Sequence, residues 1–196
     1  MSNQNIKSSF LPANKGFTLV ELMVSVAVLA ILSMVALPNL SDFSVRMRVD
    51  NEISELNRLL LTARNVAINE GVNVTVCPLV AKTCTTSWEK ELSVFTDFDG
   101  DGVYEPTATP AERIIKVKAA IKTNDKLQYS KSSVMYASTG LLASTAAITP
   151  LSYCPYGDAN RSRGIMVSSS GRIYSTSDID NDDKDEDRSG NEVTCT

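Results

Sequence analysis

FTLVELMVSVAVLAILSMVAL, residues 17–37, is an apolar run broken by one charge, Glu21. Wound as a helix at about 1.5 Å per residue it reaches roughly 31 Å, enough to cross a bilayer core. The residues ahead of it, 1–16, are polar and carry Lys7 and Lys15 but no acid. Positive charge before a span holds that side in the cytoplasm, so the C-terminal body is expected outside. An ordinary secretory signal has a shorter apolar core with its cleavage site behind it. Here the break signal, Lys15-Gly16, stands in front, and a cut there leaves the apolar helix on the mature chain. That arrangement makes sense if the helix is itself the working part.

Glu21 needs an account of its own. A carboxylate near a bilayer core costs on the order of 2.5–3.5 kcal/mol, so such residues tend to be paired or functional. Five residues into the run, it could reach the headgroups at the membrane edge. It could equally be met on assembly by a new α-amino group at Phe17 of a neighbouring chain. Both readings stand on physical grounds.

Lys15-Gly16-Phe17-Thr18-Leu19-Val20-Glu21-Leu22, with the apolar stretch behind it and Pro38, resembles the prepilin processing motif of type IV pilins and type II secretion pseudopilins. The resemblance implies that Gly16 precedes the prepilin peptidase cut and that Phe17 becomes the N-methylated first residue. It implies too that Glu21 registers each subunit on the previous one. The partners it implies are major and minor pilins, the prepilin peptidase and the inner-membrane assembly platform. The implied location is a single pass of the inner membrane with the body in the periplasm, then the pilus or cell surface.

Past Pro38 the helical pattern continues. Val49, Ile53, Leu56, Leu60, Ala63 and Ala67 recur at steps of four and three, an amphipathic stripe. Such a stripe suits either a coiled-coil seam or the inner face of a helix packed on its own sheet, and the second is expected. Pro38 removes one backbone bond and is expected to bend or loosen the helix. Gly71 suits the left-handed position that ends it. Behind it the pattern shifts to short β-rich runs at 72–77, 92–97, 113–119, 126–130, 134–138, 164–168 and 172–176, separated by turn residues. The expected fold is α+β: a leader over 1–16, a long N-terminal helix over 17–71 whose first part (17–37) is the membrane and assembly segment, and a body over 72–196 in which the helix packs on an antiparallel sheet.

The stretch from Leu92 to Gly102, then Glu112-Arg113-Ile114-Ile115 and the closing Gly171-Arg172-Ile173-Tyr174, resembles the FimT/GspH group of minor pilins and pseudopilins. That resemblance implies a low-copy subunit near the filament tip that helps prime assembly.

Composition narrows the function. Of 196 residues 43% are hydrophobic and 21% charged, as in a globular protein, and the formal net charge is −4. Without 1–16 there remain 17 basic against 23 acidic residues, or −6. An acidic body does not draw polyphosphates over long range. There is no histidine. That removes Ser-His-Asp and Cys-His nucleophiles and most transition-metal ligand sets, so an enzyme is not expected. Cys77, Cys84, Cys154 and Cys195 form no CxxC pair, which fits disulfides of an oxidising compartment. Of three possible pairings, Cys77–Cys84 as a local clasp and Cys154–Cys195 pinning the penultimate residue are favoured. Trp88 and Phe95 are expected in the core beneath the Cys77–Cys84 loop.

Three polar constellations remain. Asp97, Asp99 and Asp101 followed by Gly102 match the opening of a calcium loop, although the twelfth position is Ala108 and Glu105 is the nearest closing carboxylate. No helices flank them, and a polar hairpin loop between two strands is the expected reading. No other cofactor is expected. Residues 178–187, DIDNDDKDED, hold seven acids against one lysine. Acid runs are usually solvated, and a cation could also sit here. Arg161, Arg163 and Arg172 are expected to come together around the last strands. Some FimT-like proteins carry a basic DNA-binding motif there, but this acid run opposes phosphate, so nucleic acid is not expected as a partner. Arginines guarding an exposed sheet edge fit better.

Overall fold

The computed structural model describes residues 16–143, 149–182 and 184–195, leaving the side chains of 35–39 aside. The expected leader therefore lies, apart from Gly16, outside the described residues. The chain divides into two compact units, one to Phe43 and one from Ser44 onward. A single helix, α1 (Leu19–Glu70), contributes to both. Pro38 falls within its helical backbone, and its side chain lies outside the described residues.

In the first unit every large apolar side chain from Phe17 to Met34 is exposed. Among the described residues no helix is long and apolar enough to cross a membrane. Residues 35–37, which complete the apolar run of the sequence, have no described side chains.

The second unit has the expected α+β architecture. From Val49 to Ala67 the whole stripe of α1 is buried, and Leu59 and Val45 join it. It faces strands of its own chain, so the stripe is the inner face of a packed helix. The helix stops where the pattern said it would. Gly71 has φ +69°, the left-handed conformation that only glycine adopts without cost, and its N–H closes on Ala67 O at 3.0 Å.

Among the described residues nine strands follow: β1 (Val74–Val80), β2 (Thr83–Cys84), β3 (Leu92–Thr96), β4 (Ile114–Lys118), β5 (Lys126–Gln128), β6 (Val134–Tyr136), β7 (Leu151–Cys154), β8 (Arg163–Val167) and β9 (Ile173–Ser175). They form two antiparallel sheets. One runs β2-β1-β3-β4 with β6 also paired to β1, and the other runs β5-β7-β8-β9. Strands β2 and β7 were not expected from the sequence. Two residues and a four-residue LSYC are too short to show a period of two.

Alternation along the strands explains how the first sheet is buried on both faces. Val74 and Val76 of β1 and Leu92 and Val94 of β3 join Leu56 and Leu60 of α1 in the main core. Their neighbours Thr75, Cys77, Ser93 and Phe95 face the other way and are buried as well. That second face is covered by the loop after β3. Tyr104 meets Phe95 edge-on, Cys84 N–H donates to Gly102 O, and Cys77–Cys84 bridges β1 to β2. Trp88 and Phe95, expected to share one core, thus lie apart: Trp88 belongs to the cluster under α1, where its indole N–H donates to Lys131 O at 2.7 Å, whereas Phe95 belongs to the outer layer.

The helix is fastened by polar contacts as well. Lys118 of β4 is buried and pairs with Glu52 at 2.7 Å. Asp125, whose side chain is inaccessible, accepts from Arg48 of α1, from the hydroxyl of Tyr153 and from Tyr156 N–H. Burial, together with the Asp125 carboxylate, holds the Tyr153 hydroxyl in its neutral form well above the usual tyrosine range. Arg64 donates to Gly140 O and Ser170 O, tying two turns to the helix.

Candidate functional site

The N-terminal motif starts with a cap. Thr18 Oγ1 accepts from Glu21 N–H at 3.2 Å, and Glu21 Oε2 accepts from Thr18 N–H at 3.4 Å. This Thr-x-x-Glu reciprocity is a capping box: it satisfies two of the orphan donors at the helix start and places negative charge at the positive end of the macrodipole. Glu21 therefore has a role within its own chain, beside the membrane-edge and intersubunit roles its charge suggests. The signal was in the spacing. Ser25 and Ser33 bond their hydroxyls to the carbonyls of Glu21 and Leu29, both at 2.7 Å, so their polar groups are met inside the helix. Gly16 and Phe17 lead in as exposed, non-helical residues. The arm presents an apolar surface with one carboxylate at its tip.

The aspartates after β3 form a closed knot. Asp97 is fully buried; its Oδ1 accepts from Gly100 N–H at 2.8 Å, and its Oδ2 accepts from Thr75 Oγ1 at 2.7 Å and Gly102 N–H at 3.2 Å. Asp97 and Asp99 gather with Glu112, not Glu105, within 4.8 Å. Glu105 contributes its backbone N–H to Glu112 Oε2, and Phe98 N–H takes Glu112 Oε1. Asp101 instead turns to Val103 N–H at 2.7 Å. Every carboxylate oxygen of Asp97 and Glu112 thus has a protein donor. Burial pushes both carboxyls above the usual range, against the lowering by those donors. The arrangement works as a scaffold for the loop over Phe95.

The arginines find acids. Arg163, on β8, bonds Asp50 of α1 and Asp185 (Nε to Oδ2, 3.1 Å), while Asp185 also accepts from Thr176 Oγ1 at 2.8 Å. Arg161 lies 3.6 Å from Asp158. Arg172 is exposed just ahead of β9. Arg163 is spent on fastening the acidic loop to the helix, and sequence spacing offered no sign of that.

The acidic run is a folded loop. An antiparallel bridge between Ser177 and Glu186 closes its base, and a second links Glu186 to Glu192. One carboxylate oxygen from each of Asp178, Asp180, Asp182 and Glu186 lies within 4.8 Å of the others. Asp183 lies outside the described residues. The Cys154–Cys195 disulfide, formed as expected, holds the end of this segment to β7.

A capped helix with an exposed apolar N-terminal part, whose second part seats on antiparallel sheets, defines a pilin-type subunit. Residues 52–171 match the family model of the type II transport protein GspH, and 11–37 match the prokaryotic N-terminal methylation motif. The chain belongs to the GspH family of type IV minor pilins and pseudopilins. A fimbrial protein of Pseudomonas aeruginosa is 44% identical over 62 residues, 32% of this chain and 40% of its own length. The type IV major fimbrial protein FimA of Dichelobacter nodosus is 28% identical over 112 residues, 57% of this chain and 66% of its own. The chain thus spans about two fifths of the length of the first of these curated relatives. The solved type IV minor pilin FimU of Pseudomonas aeruginosa shares the fold, with a TM-score of 0.50 and 19% identity over 67% of this chain and 90% of that one.

Proposed function

We propose that the chain is a minor subunit of a type IV pilus with a structural, non-enzymatic role. A prepilin peptidase removes residues 1–16, Phe17 is N-methylated, and residues 17–37 hold the subunit in the inner membrane with its body in the periplasm. The assembly platform then inserts it among major and minor pilins near the tip, where it helps prime the filament. The observation that carries this reading is the match to the methylation motif over a helix whose large apolar side chains, Phe17 to Met34, are all exposed. Lateral packing of such helices removes that surface from water once the subunit leaves the bilayer.

The test is complementation of a deletion strain, followed by mass spectrometry of sheared filaments. The expected subunit begins at Phe17, carries one extra methyl and holds two disulfides. A mature chain retaining 1–16, or absence from the filaments, overturns the reading. Glu21→Gln keeps an acceptor for the capping box but removes the charge. If Glu21 meets the Phe17 amine of a neighbour, this variant is incorporated poorly; normal incorporation leaves the cap as its role and sinks the pairing.

The family's description favours one second reading, a minor pseudopilin of a type II secretion system. In that case the deletion strain loses secreted proteins and keeps its pili. A DNA-binding role is not supported by arginines paired with Asp50, Asp158 and Asp185. A gel shift at two salt concentrations tests it.

A further inference from the structure

We propose that the loop closed by the Ser177–Glu186 bridge is a calcium site, with Asp178, Asp180, Asp182 and Glu186 as its carboxylate ligands. The observation that goes beyond an acidic cluster is Glu186. This residue is 5% exposed, and its Oε2 accepts from Ile179 N–H at 2.6 Å, which sets the carboxyl inside the loop between Asp178 and Asp180. Its other oxygen, Oε1, is buried and has no hydrogen-bond partner among the described residues. A buried carboxylate oxygen without a donor is a costly arrangement that proteins avoid unless something else occupies the position. Asp97 and Glu112 of the other acidic cluster supply the contrast: all of their oxygens are taken by backbone or hydroxyl donors.

Geometry and chemistry agree on the occupant. Calcium takes oxygen ligands at about 2.3–2.6 Å, so oxygens on opposite sides of the ion stand about 5 Å apart. One oxygen from each of the four carboxylates already lies within 4.8 Å of the others, so little movement is needed to receive the ion. Asp178 Oδ1 accepts from the N–H groups of Asn181 and Asp182, and Asp180 Oδ1 from Asp182, so these side chains are turned toward the middle of the loop. Lys184 sits 3.3 Å from Asp182 and 2.8 Å from Glu192, a single cation against four acids. With no nitrogen or sulfur ligand, the site suits a hard cation. Magnesium, smaller and reluctant to shed water, fits a flexible all-carboxylate loop less well.

The ion would stiffen the segment between β9 and the chain end. That segment is otherwise held by Asp185 on Arg163 and Thr176, by the buried Val193 and by Cys154–Cys195.

The test uses the full chain in detergent micelles, stripped with a chelator and titrated with CaCl2 by calorimetry. One ion per chain is expected, with an apparent Kd of about 0.1–1 mM, the range of exposed extracellular sites. Unfolding should shift to higher temperature in calcium. Asp180→Asn, an exposed change, should weaken binding at least tenfold and shrink the calcium-dependent rise in midpoint; Glu186→Gln should abolish binding. Asp99→Asn, in the other cluster, should leave binding intact. No saturation by about 10 mM, loss of binding in Asp99→Asn, or an equal response to MgCl2 each overturns the proposal.

Discussion

Asp97 shows how a carboxylate can be fully supplied with donors and still resist ionisation. Thr75, Gly100 and Gly102 favour the charged form, but burial in the layer outside β1 and β3 outweighs them and raises its affinity for a proton. The folded state then binds that proton more tightly than the unfolded chain does. The stability this contributes is complete below the ordinary aspartate value of about 3.9 and is lost as pH rises through the higher folded value. Asp97→Asn is neutral throughout and lacks that slope. The stability difference between wild type and Asp97→Asn should therefore shrink as pH rises from about 4, by at most about 1.4 kcal/mol per pH unit. Urea unfolding at a series of pH values measures it. A difference that stays flat from pH 4 to 7 means that burial does not govern this carboxyl.

At the scale of elements, the two sides of α1 carry different consequences. Leu56 is 1% exposed beneath both sheets, whereas Leu61, five residues on, is 42% exposed. Leu56→Ala should cost about 3 kcal/mol through lost transfer energy and the cavity left behind. Leu61→Ala should cost no more than about 0.5 kcal/mol. Urea denaturation in micelles reads both, and equal losses would mean that the stripe is not the inner face. A turn supplies a sharper test. Gly171 has φ +73°, and a Cβ there would stand 2.0 Å from Gly140 O, in the pair of turns that Arg64 binds. Gly171→Ala should cost more than the roughly 1–2 kcal/mol of left-handed strain alone, because a backbone oxygen has to move; a loss under about 1 kcal/mol argues that the two turns do not touch. These elements also show what the sequence made legible. The stripe from Val49 to Ala67 and its stop at Gly71 were readable because a helix packed on one surface imprints its period on the residues. The strand at Leu151–Cys154 was not, since a short run buried along its whole length has no alternation. Glu112 escaped the carboxylate set around Asp97 because it returns from beyond Thr109-Pro110, and spacing within a loop cannot show which distant acid folds back. The acidic run suits a solvated stretch or a cation site by its composition, and its fastening to α1 through Asp185, Arg163 and Asp50 is a tertiary fact with no local trace.

For the whole molecule, the packed core lies in the unit from Ser44 onward, because the apolar side chains of the other unit, from Phe17 to Met34, are exposed. In that second unit the two disulfides do different work. Cys77–Cys84 spans 7 residues and closes the β1–β2 hairpin, whose register already places Leu79 opposite Cys84. Cys154–Cys195 spans 41 residues, a segment that includes β8, β9 and the acidic loop. On the chain-entropy account the long closure restricts the unfolded state more, by about 4 kcal/mol against about 2.5 for the short one. Replacing Cys154 and Cys195 with alanine should therefore lower the unfolding free energy by about 1.5 kcal/mol more than replacing Cys77 and Cys84. Native contacts could reverse that order only if the short bridge carried extra weight by holding the loop over Phe95. The Cys154–Cys195 segment has its own anchors: Val193 is buried, and Ser162 bonds its carbonyl. Its native position should survive without the bridge, leaving the loss mainly in the unfolded state. Urea unfolding of the two double variants in non-reducing buffer decides between these: a larger loss for Cys77/Cys84 would place the stabilisation in native packing around Phe95, not in the restriction of the unfolded chain.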